Sequence, residues 1–473
     1  MRAVRQISTQ WMRNNRGLLL AILVCALLRI ALMVAAFALT GTRVMTQGDT
    51  ASYLEPGRNL LLHGAYTSEA FSQPFPEIDR TPGYPLFTML TGMIFNNVLL
   101  TVIAQIILSI GSLLLVHRIA RQTFPDRRAG TIAAWLFAIE PISILYTVRL
   151  MPETLFVFLL LAVIERLIAF HKTVKLSSVA AAGILLAAAT YVRPVSYYLV
   201  FPLAAALLFT APRLRGYKWK APALLLISIL PWLAAWQLRN WAETGYSGFS
   251  SIVEKNLYFY QSAEVSAELQ HISLAAEQQK LGYQDEASYI AVHPEQRAWS
   301  QAQRLHFMRA ESVKILSTHR ALYLKTHIAG VAVVAFTPCA SEFLELVDLY
   351  PNPETMPRRI LNEGVLSSVK NVMLAHPGVT MTMAVLEAFL LLLYALAARG
   401  VFSYRAATVP LLTLIGIALY FLLISGGAQA VGRYRLPVMP ELCILAAGGL
   451  AAFQRKEKRG HHSPADSVQS VSS

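Results

Sequence analysis

The residues best suited to chemistry are a carboxylate and a set of arginines at the edges of apolar segments. Asp49 stands in "GDTASY" just after the first apolar run. Arg80 opens "RTPGYPLF", Arg149 and Glu153 share "RLMPE", and Arg193 lies in "YVRP". Arg239 lies in "QLRNW", and Arg433 and Arg435 lie in "GRYRLP". Arginine at a membrane boundary is costly unless it reaches the headgroups or meets an anion. Its planar guanidinium takes phosphate oxygens two at a time, so a converging set suits a lipid phosphate or pyrophosphate. A carboxylate beside such a set can remove a proton from a hydroxyl. Asp49 is therefore the candidate general base, with Asp79 as a rival expected to pair with Arg80 or to cap a turn. Arg80, Arg149, Arg433 and Arg435 are the candidate phosphate ligands. Glu153, one turn after Arg149, is its expected partner. Tyr53, Tyr84, Tyr434, Arg193 and Arg239 are supporting residues.

The elements that position these residues are membrane spans. The chain has 473 residues, 55% of them hydrophobic and only 14% charged. A soluble chain carries about 25% charged residues. Apolar runs near the roughly 20 residues needed to cross a bilayer recur along the chain. Spans are expected at 17–39, 95–116, 129–148, 154–170, 177–192, 195–210, 221–238, 379–398, 407–425 and 436–453. The fold class is an all-α polytopic membrane protein of about 10–12 spans. The short loops "HRIARQTFPDRR", "HKTVK", "PRLRGYKWK", "ARGVFSYR" and "QRKEKRGHH" are basic, which places them in the cytoplasm. The net charge of +14 is thereby explained without nucleic acid, since no groove-reading or stacking module accompanies it. Three scattered cysteines make neither a disulfide framework nor a metal site, and no metal or nucleotide motif is present.

The other face holds different material. The first loop, 41–94, carries Asp49 and Arg80, with Leu60, Leu61 and Leu62 to hold it at the membrane surface. Segment 240–325 is polar and rich in Glu, Gln, Ala and Leu, and reads as surface helices. The stretch 326–340 is apolar but short, and is expected to be re-entrant or interfacial, or else a span with a further, unassigned partner span. Segment 341–378 is acid-rich and is placed on the outer face, and 454–473 is expected to be a disordered cytoplasmic tail. Residues 1–453 form one transmembrane domain on this reading.

Several of these stretches resemble one family. "GDTASY", "NLLLHGAY" and "RTPGYPLF" are similar to the first extracytoplasmic loop of GT-C membrane glycosyltransferases. The branch is that of the dolichyl-phosphate-mannose protein mannosyltransferases and the lipid A aminoarabinose transferases. "RLMPETLFVF", "PWLAAWQLRNWAETG" and "GRYRLPVMPELCILAAGGL" resemble later stretches of the same branch. The resemblance implies a sugar on a polyprenyl phosphate as donor, used at the outer face of a bacterial inner membrane. The acceptor is a lipid, a glycan or a protein. Asp49 matches the family's first-loop acid and Arg149 a phosphate-binding arginine, while Thr50 stands where the mannosyltransferases have a second acid. No cofactor is indicated, and metal use varies within the fold class.

Two other function classes handle the same chemistry. A transporter or flippase of lipid-linked sugars would show inverted repeats or paired broken helices, and the two halves of this chain do not resemble each other. An O-antigen polymerase or ligase would also use arginines, but the first-loop aspartate favours the monosaccharide-phosphate branch.

Overall fold

The structure is a computed structural model and describes residues 15–46, 48–68, 75–210, 216–347, 377–404 and 408–460. It is helical almost throughout. Among the described residues the strands are β1 (Thr67–Ser68) and β2 (Phe75–Pro76), paired antiparallel with Thr67 opposite Pro76. Helices α1 (Arg16–Thr40), α2 (Thr50–His63), α3 (Gly83–Thr91) and α4 (Val98–Thr123) build the first part of the bundle. They are followed by α5 (Arg128–Ala138), α6 (Pro141–Val148), α7 (Glu153–Thr173), α8 (Leu176–Val192), α9 (Val200–Thr210) and α10 (Lys220–Thr244). A layer of shorter helices comes next: α11 (Ile252–Asn256), α12 (Ala263–Gln270), α13 (Leu274–Lys280), α14 (Glu286–Val292) and α15 (Gln301–Thr318). Helices α16 (Arg320–Phe336), α17 (Ala340–Leu346), α18 (Pro377–Ser403), α19 (Val409–Ile424) and α20 (Met439–Gly460) complete the chain.

Every expected span coincides with helix, but not every one is full length. Among the described residues six helices are long and apolar enough to cross a bilayer: α1, α4, α7, α10, α18 and the 432–453 stretch ending in α20. Helices α5 and α6 form a seventh only as a pair bent by 54°. The bend has a local cause. Pro141 has no N–H to continue the helix, and Glu140 caps the new one, accepting from the N–H groups of Ile142 (2.9 Å) and Ser143 (2.7 Å). Helices α8, α19 and the 194–210 stretch are apolar but shorter. In α8 the chain is stopped by Arg193, which precedes a proline and is extended (φ −140°).

The stretch 326–340 lies mostly in α16. Its 17 residues rise about 25 Å, short of the roughly 30 Å hydrocarbon core. Its last carbonyls are taken by Arg435, and His327 Nε2 lies 2.8 Å from the carbonyl of Leu423 at the end of α19. Helix α20 continues to Gly460, so the start of the expected tail is helical. Residues 461–473 and most of 341–378 lie outside the described residues.

One core runs through the bundle, from Ala21 and Cys25 of α1 to Ala446 and Ala447 of α20. Helices α18 and α20 cross closely because both are glycine there. A Cβ on Gly400 would lie 2.0 Å from the Leu445 carbonyl oxygen, and one on Gly449 2.2 Å from that of Leu396. A second core lies in the layer of short helices, around Tyr246, Tyr258, Phe259, Tyr289, Leu305 and Met308. Ile78 of the first loop is buried in it. The first loop is therefore gripped from both sides.

Candidate active site

Asp49 precedes α2 in the N-cap position, yet its carboxylate makes no capping bond. It is held instead by arginines. Arg433 Nη2 donates to Asp49 Oδ2 at 2.5 Å, and Arg80 Nη2 lies 3.8 Å from Oδ1. Arg80 is aimed by its neighbours. Its Nε donates to Ser52 Oγ (3.0 Å) and its Nη1 to the Tyr53 hydroxyl (3.1 Å), with its guanidinium 4.3 Å from the Tyr53 ring centre. Both neighbours lie on the first turn of α2, so the "DTASY" spacing puts Asp49, Ser52 and Tyr53 around one guanidinium.

The Arg149–Glu153 turn abuts this pair. The N–H of Leu150 donates to the carbonyl of Met45 (3.0 Å), which ties the turn to the chain leaving α1. Gln105 of α4, fully buried, donates to the carbonyls of Thr147 (2.9 Å) and Arg149 (2.8 Å) and accepts from Tyr84 (2.8 Å). Glu153 begins α7, where the helix dipole favours an acid. One of its oxygens pairs with Arg193 at 3.0 Å. Among the described residues its second oxygen has no partner, and neither do Nε of Arg149 and Nε of Arg433. Tyr434 lies beside both Arg193 and Arg433, 5.8 and 5.4 Å from ring centre to guanidinium carbon.

Charge sets the state of Asp49. Burial pushes its pKa up, but Arg433, then Arg80 and Arg193, outweigh that and hold it below the usual carboxylate value. Two residues on the loop side behave oppositely to each other. Burial, with the neighbouring Asp79 charge, pushes Glu77 up to about 7, although it accepts the N–H groups of Asp79 (2.5 Å) and Arg80 (2.8 Å). Burial also acts to raise Asp79, but Lys255 and Ser251 bind its carboxylate and keep it low.

The structure brings Asp49, Arg80, Arg433, Arg193, Glu153, Tyr53 and Tyr434 together, with Arg149 on the adjoining turn but bound to another partner, and engages Asp79, Arg239, Arg435 and Tyr84 elsewhere. Glu153 pairs with Arg193 rather than Arg149. Arg149 is bound by the Glu345 carboxylate and the Glu342 carbonyl of α17. Asp79 pairs with Lys255 of α11 rather than Arg80, because the loop turns its side chain toward the outer layer. Arg239 donates to the carbonyls of Glu77 (2.6 Å) and Tyr66 (3.0 Å) and so pins β1 and β2. Arg435 is fully buried and donates to the carbonyls of Val334, Ala335 and Thr337 at the end of α16. Tyr84 is fully buried against Gln105.

Sequence reasoning missed Gln105, Glu77, Lys255 and a buried arginine within the first span. Arg29 of α1 donates to Ser109 Oγ (2.7 Å), to its own helix at Cys25 (3.2 Å) and to the Ala138 carbonyl at the α5–α6 bend (3.1 Å). The signal for Arg29 was present as a lone charge in an apolar run, which marks an intramembrane partner. Gln105 and Glu77 carry no comparable signal, since their roles exist only after distant loops have met.

Residues 79–236 match the family model of the dolichyl-phosphate-mannose-protein mannosyltransferases. The match takes in Arg80, Arg149, Glu153 and Arg193; Asp49 and Arg433 lie outside it. No curated protein matches the chain. Among solved structures, the apo oligosaccharyltransferase of Archaeoglobus fulgidus aligns over 95% of this chain and 52% of its own, at 13% identity and a TM-score of 0.50. A structure of the Archaeoglobus fulgidus oligosaccharyltransferase with an inhibitory peptide and a dolichol-phosphate aligns at 12% identity, covering 96% of this chain and 53% of its own, with a TM-score of 0.46. The chain thus spans about half the length of the solved structures it matches. The matched segment covers about a third of the chain, and over nearly its whole length the chain's fold is similar to that of the archaeal oligosaccharyltransferase.

Proposed function

We propose that the chain transfers a sugar from a polyprenyl-phosphate donor to a hydroxyl-bearing lipid, glycan or protein at the outer membrane face, with inversion at the anomeric carbon. The observation that carries this reading is the clasp of Asp49 between Arg433 and Arg80. The acceptor oxygen attacks the anomeric carbon while Asp49 takes its proton. The bond from that carbon to the phosphate oxygen breaks, and the polyprenyl phosphate leaves with both electrons. Cationic groups neutralise it, so it needs no proton.

Arg433 links the two halves of this step. Paired with it, Asp49 is ionised but a poor base. A donor phosphate competes for the same guanidinium, and once Arg433 turns to the phosphate, Asp49 loses the contact that depresses its pKa. Binding the donor thus activates the base. Arg80 remains, held by Ser52 and Tyr53. Arg149 joins by exchanging Glu345 for a phosphate oxygen. Glu153 keeps Arg193 in place near Asp49.

Asp49→Asn keeps shape and hydrogen bonding but cannot accept a proton. Purified and reconstituted with radiolabelled polyprenyl-phosphate sugars and a membrane extract, it should bind donor and lose transfer by about 10²–10⁴-fold. Full transfer by Asp49→Asn, or a product of retained configuration, overturns the assignment.

A further inference from the structure

The end of the bundle away from Asp49 carries a second built feature. Between α4 and α7 lies a groove of about 340 Å³. Its walls are Gly111, Leu114 and Leu115 from α4 and Phe158 and Ala162 from α7. Arg118, Arg166 and Glu165 stand at one end. Glu153 and Glu165 lie about 18 Å apart along α7, so the groove opens roughly half a bilayer or more from the proposed transfer site.

The two ends of the groove differ in chemistry. On α4, Ile103, Ile107 and Leu114 are exposed along one face and lead toward the groove. In a bilayer such a face meets acyl chains, so the apolar walls are a track for one of them. At the polar end, Glu165 is 2% exposed and is shared by Arg118 (2.8 Å) and Arg166, which are 59% and 36% exposed. Gln122 Nε2 also approaches Glu165, at 3.5 Å. One buried carboxylate therefore orients two guanidiniums and neutralises one of them. The flanking stretches 117–128 and 165–175 together carry seven Lys and Arg against two acids, Asp126 and Glu165.

We propose that this groove binds one anionic phospholipid of the leaflet opposite the transfer site, with an acyl chain against Leu114, Phe158 and Ala162 and the headgroup phosphate on Arg118 and Arg166. Basic pockets between spans are suited to such headgroups. A zwitterionic lipid fills the apolar track equally well but gains less from the excess positive charge. The site has no part in the transfer chemistry, and its test needs neither donor nor acceptor.

Native mass spectrometry of the full chain in detergent tests this, with dioleoyl phosphatidylglycerol and dioleoyl phosphatidylcholine titrated separately. The wild type should bind phosphatidylglycerol more tightly. Each arginine near a phosphate should contribute about fivefold, so Arg118→Gln with Arg166→Gln should lower phosphatidylglycerol affinity by more than tenfold and phosphatidylcholine affinity by less, narrowing the gap between the two lipids. That double variant strands Glu165, so two others guard against misfolding. Glu165→Gln releases both guanidiniums and should raise phosphatidylglycerol affinity. Ala162→Phe fills the groove and should weaken both lipids. Equal binding of the two lipids by the wild type overturns the proposal, as does unchanged phosphatidylglycerol binding in Glu165→Gln and Ala162→Phe. Displacement of phosphatidylglycerol by inorganic phosphate, with no effect of Ala162→Phe, would assign the site to a soluble anion and sink the lipid reading.

Discussion

Asp49 and Arg433 are separated by most of the chain, yet their contact helps hold the Asp49 carboxyl low, and on the proposed mechanism it sets the strength of the base. Free-enzyme pH profiles report it directly. The acid limb of kcat/KM follows protonation of the base in the uncomplexed enzyme. Arg433 depresses that pKa and burial raises it. Removing Arg433 therefore leaves burial less opposed, and the limb in Arg433→Gln should move to higher pH. Arg433→Lys should restore the limb partly, since a lysine supplies charge without the planar fork. An unshifted limb in Arg433→Gln would separate Asp49 from the titrating base. That Asp49 meets arginines was legible, because an acid and several arginines stand at the ends of apolar runs. Its clasp was legible only in part. Sequence placed several arginines at one level, but nothing in their spacing distinguished Arg433, which faces Asp49, from Arg435, two residues on and buried against carbonyls.

At the scale of elements, the first loop is held by backbone contacts that tolerate little change. Gly83 begins α3 against the end of α8, where an added Cβ would lie 2.6 Å from the carbonyl carbon and oxygen of Tyr191. Backbone cannot rotate aside as a side chain does. Gly83→Ala should therefore destabilise the protein by about 1–3 kcal/mol, the usual range for overpacking, and lower its thermal midpoint in detergent. Because Arg80 lies three residues earlier, transfer should fall as well. An unchanged midpoint would mean that α3 and α8 separate freely. The element boundaries show why helix positions were legible and helix lengths were not. Apolar runs marked every span, but Pro141 divides the run 129–148, and only packing shows whether a divided run continues or bends. The bend between α5 and α6 depends on Glu140 capping the second segment and Arg29 taking a carbonyl of the first. The pattern of apolar residues contains neither contact.

Across the whole molecule, chemistry and basic charge separate to opposite ends. Helix α7 begins at Glu153 and ends among His171 and Lys172, and α8 runs from Lys175 back to Arg193. Helix α10 starts at Lys220 and ends with Arg239 on the first loop. This alternation matches the positive-inside rule with the Asp49 end outside. Membrane-impermeant thiol reagents on intact cells check it. Arg58→Cys and Gln279→Cys, both at exposed positions, should label, and Lys218→Cys should label only after permeabilisation. Labelling of Lys218→Cys from outside would invert the orientation. The helical, span-rich character of the chain was the most legible level of all, because apolar runs act over many residues at once.

The buried Arg29 has a consequence for biogenesis. Its partners outside α1 are Ser109 and the carbonyl of Ala138, so the first span emerges from the ribosome well before either exists. A lone arginine at mid-span opposes insertion by about 2.5–3.5 kcal/mol. At about 5–20 residues per second, several seconds of translation pass before the α5–α6 bend can accept it. During that interval Arg29 has only its own helix to bond, so Arg29→Leu should ease insertion of α1 when it is expressed without the later spans.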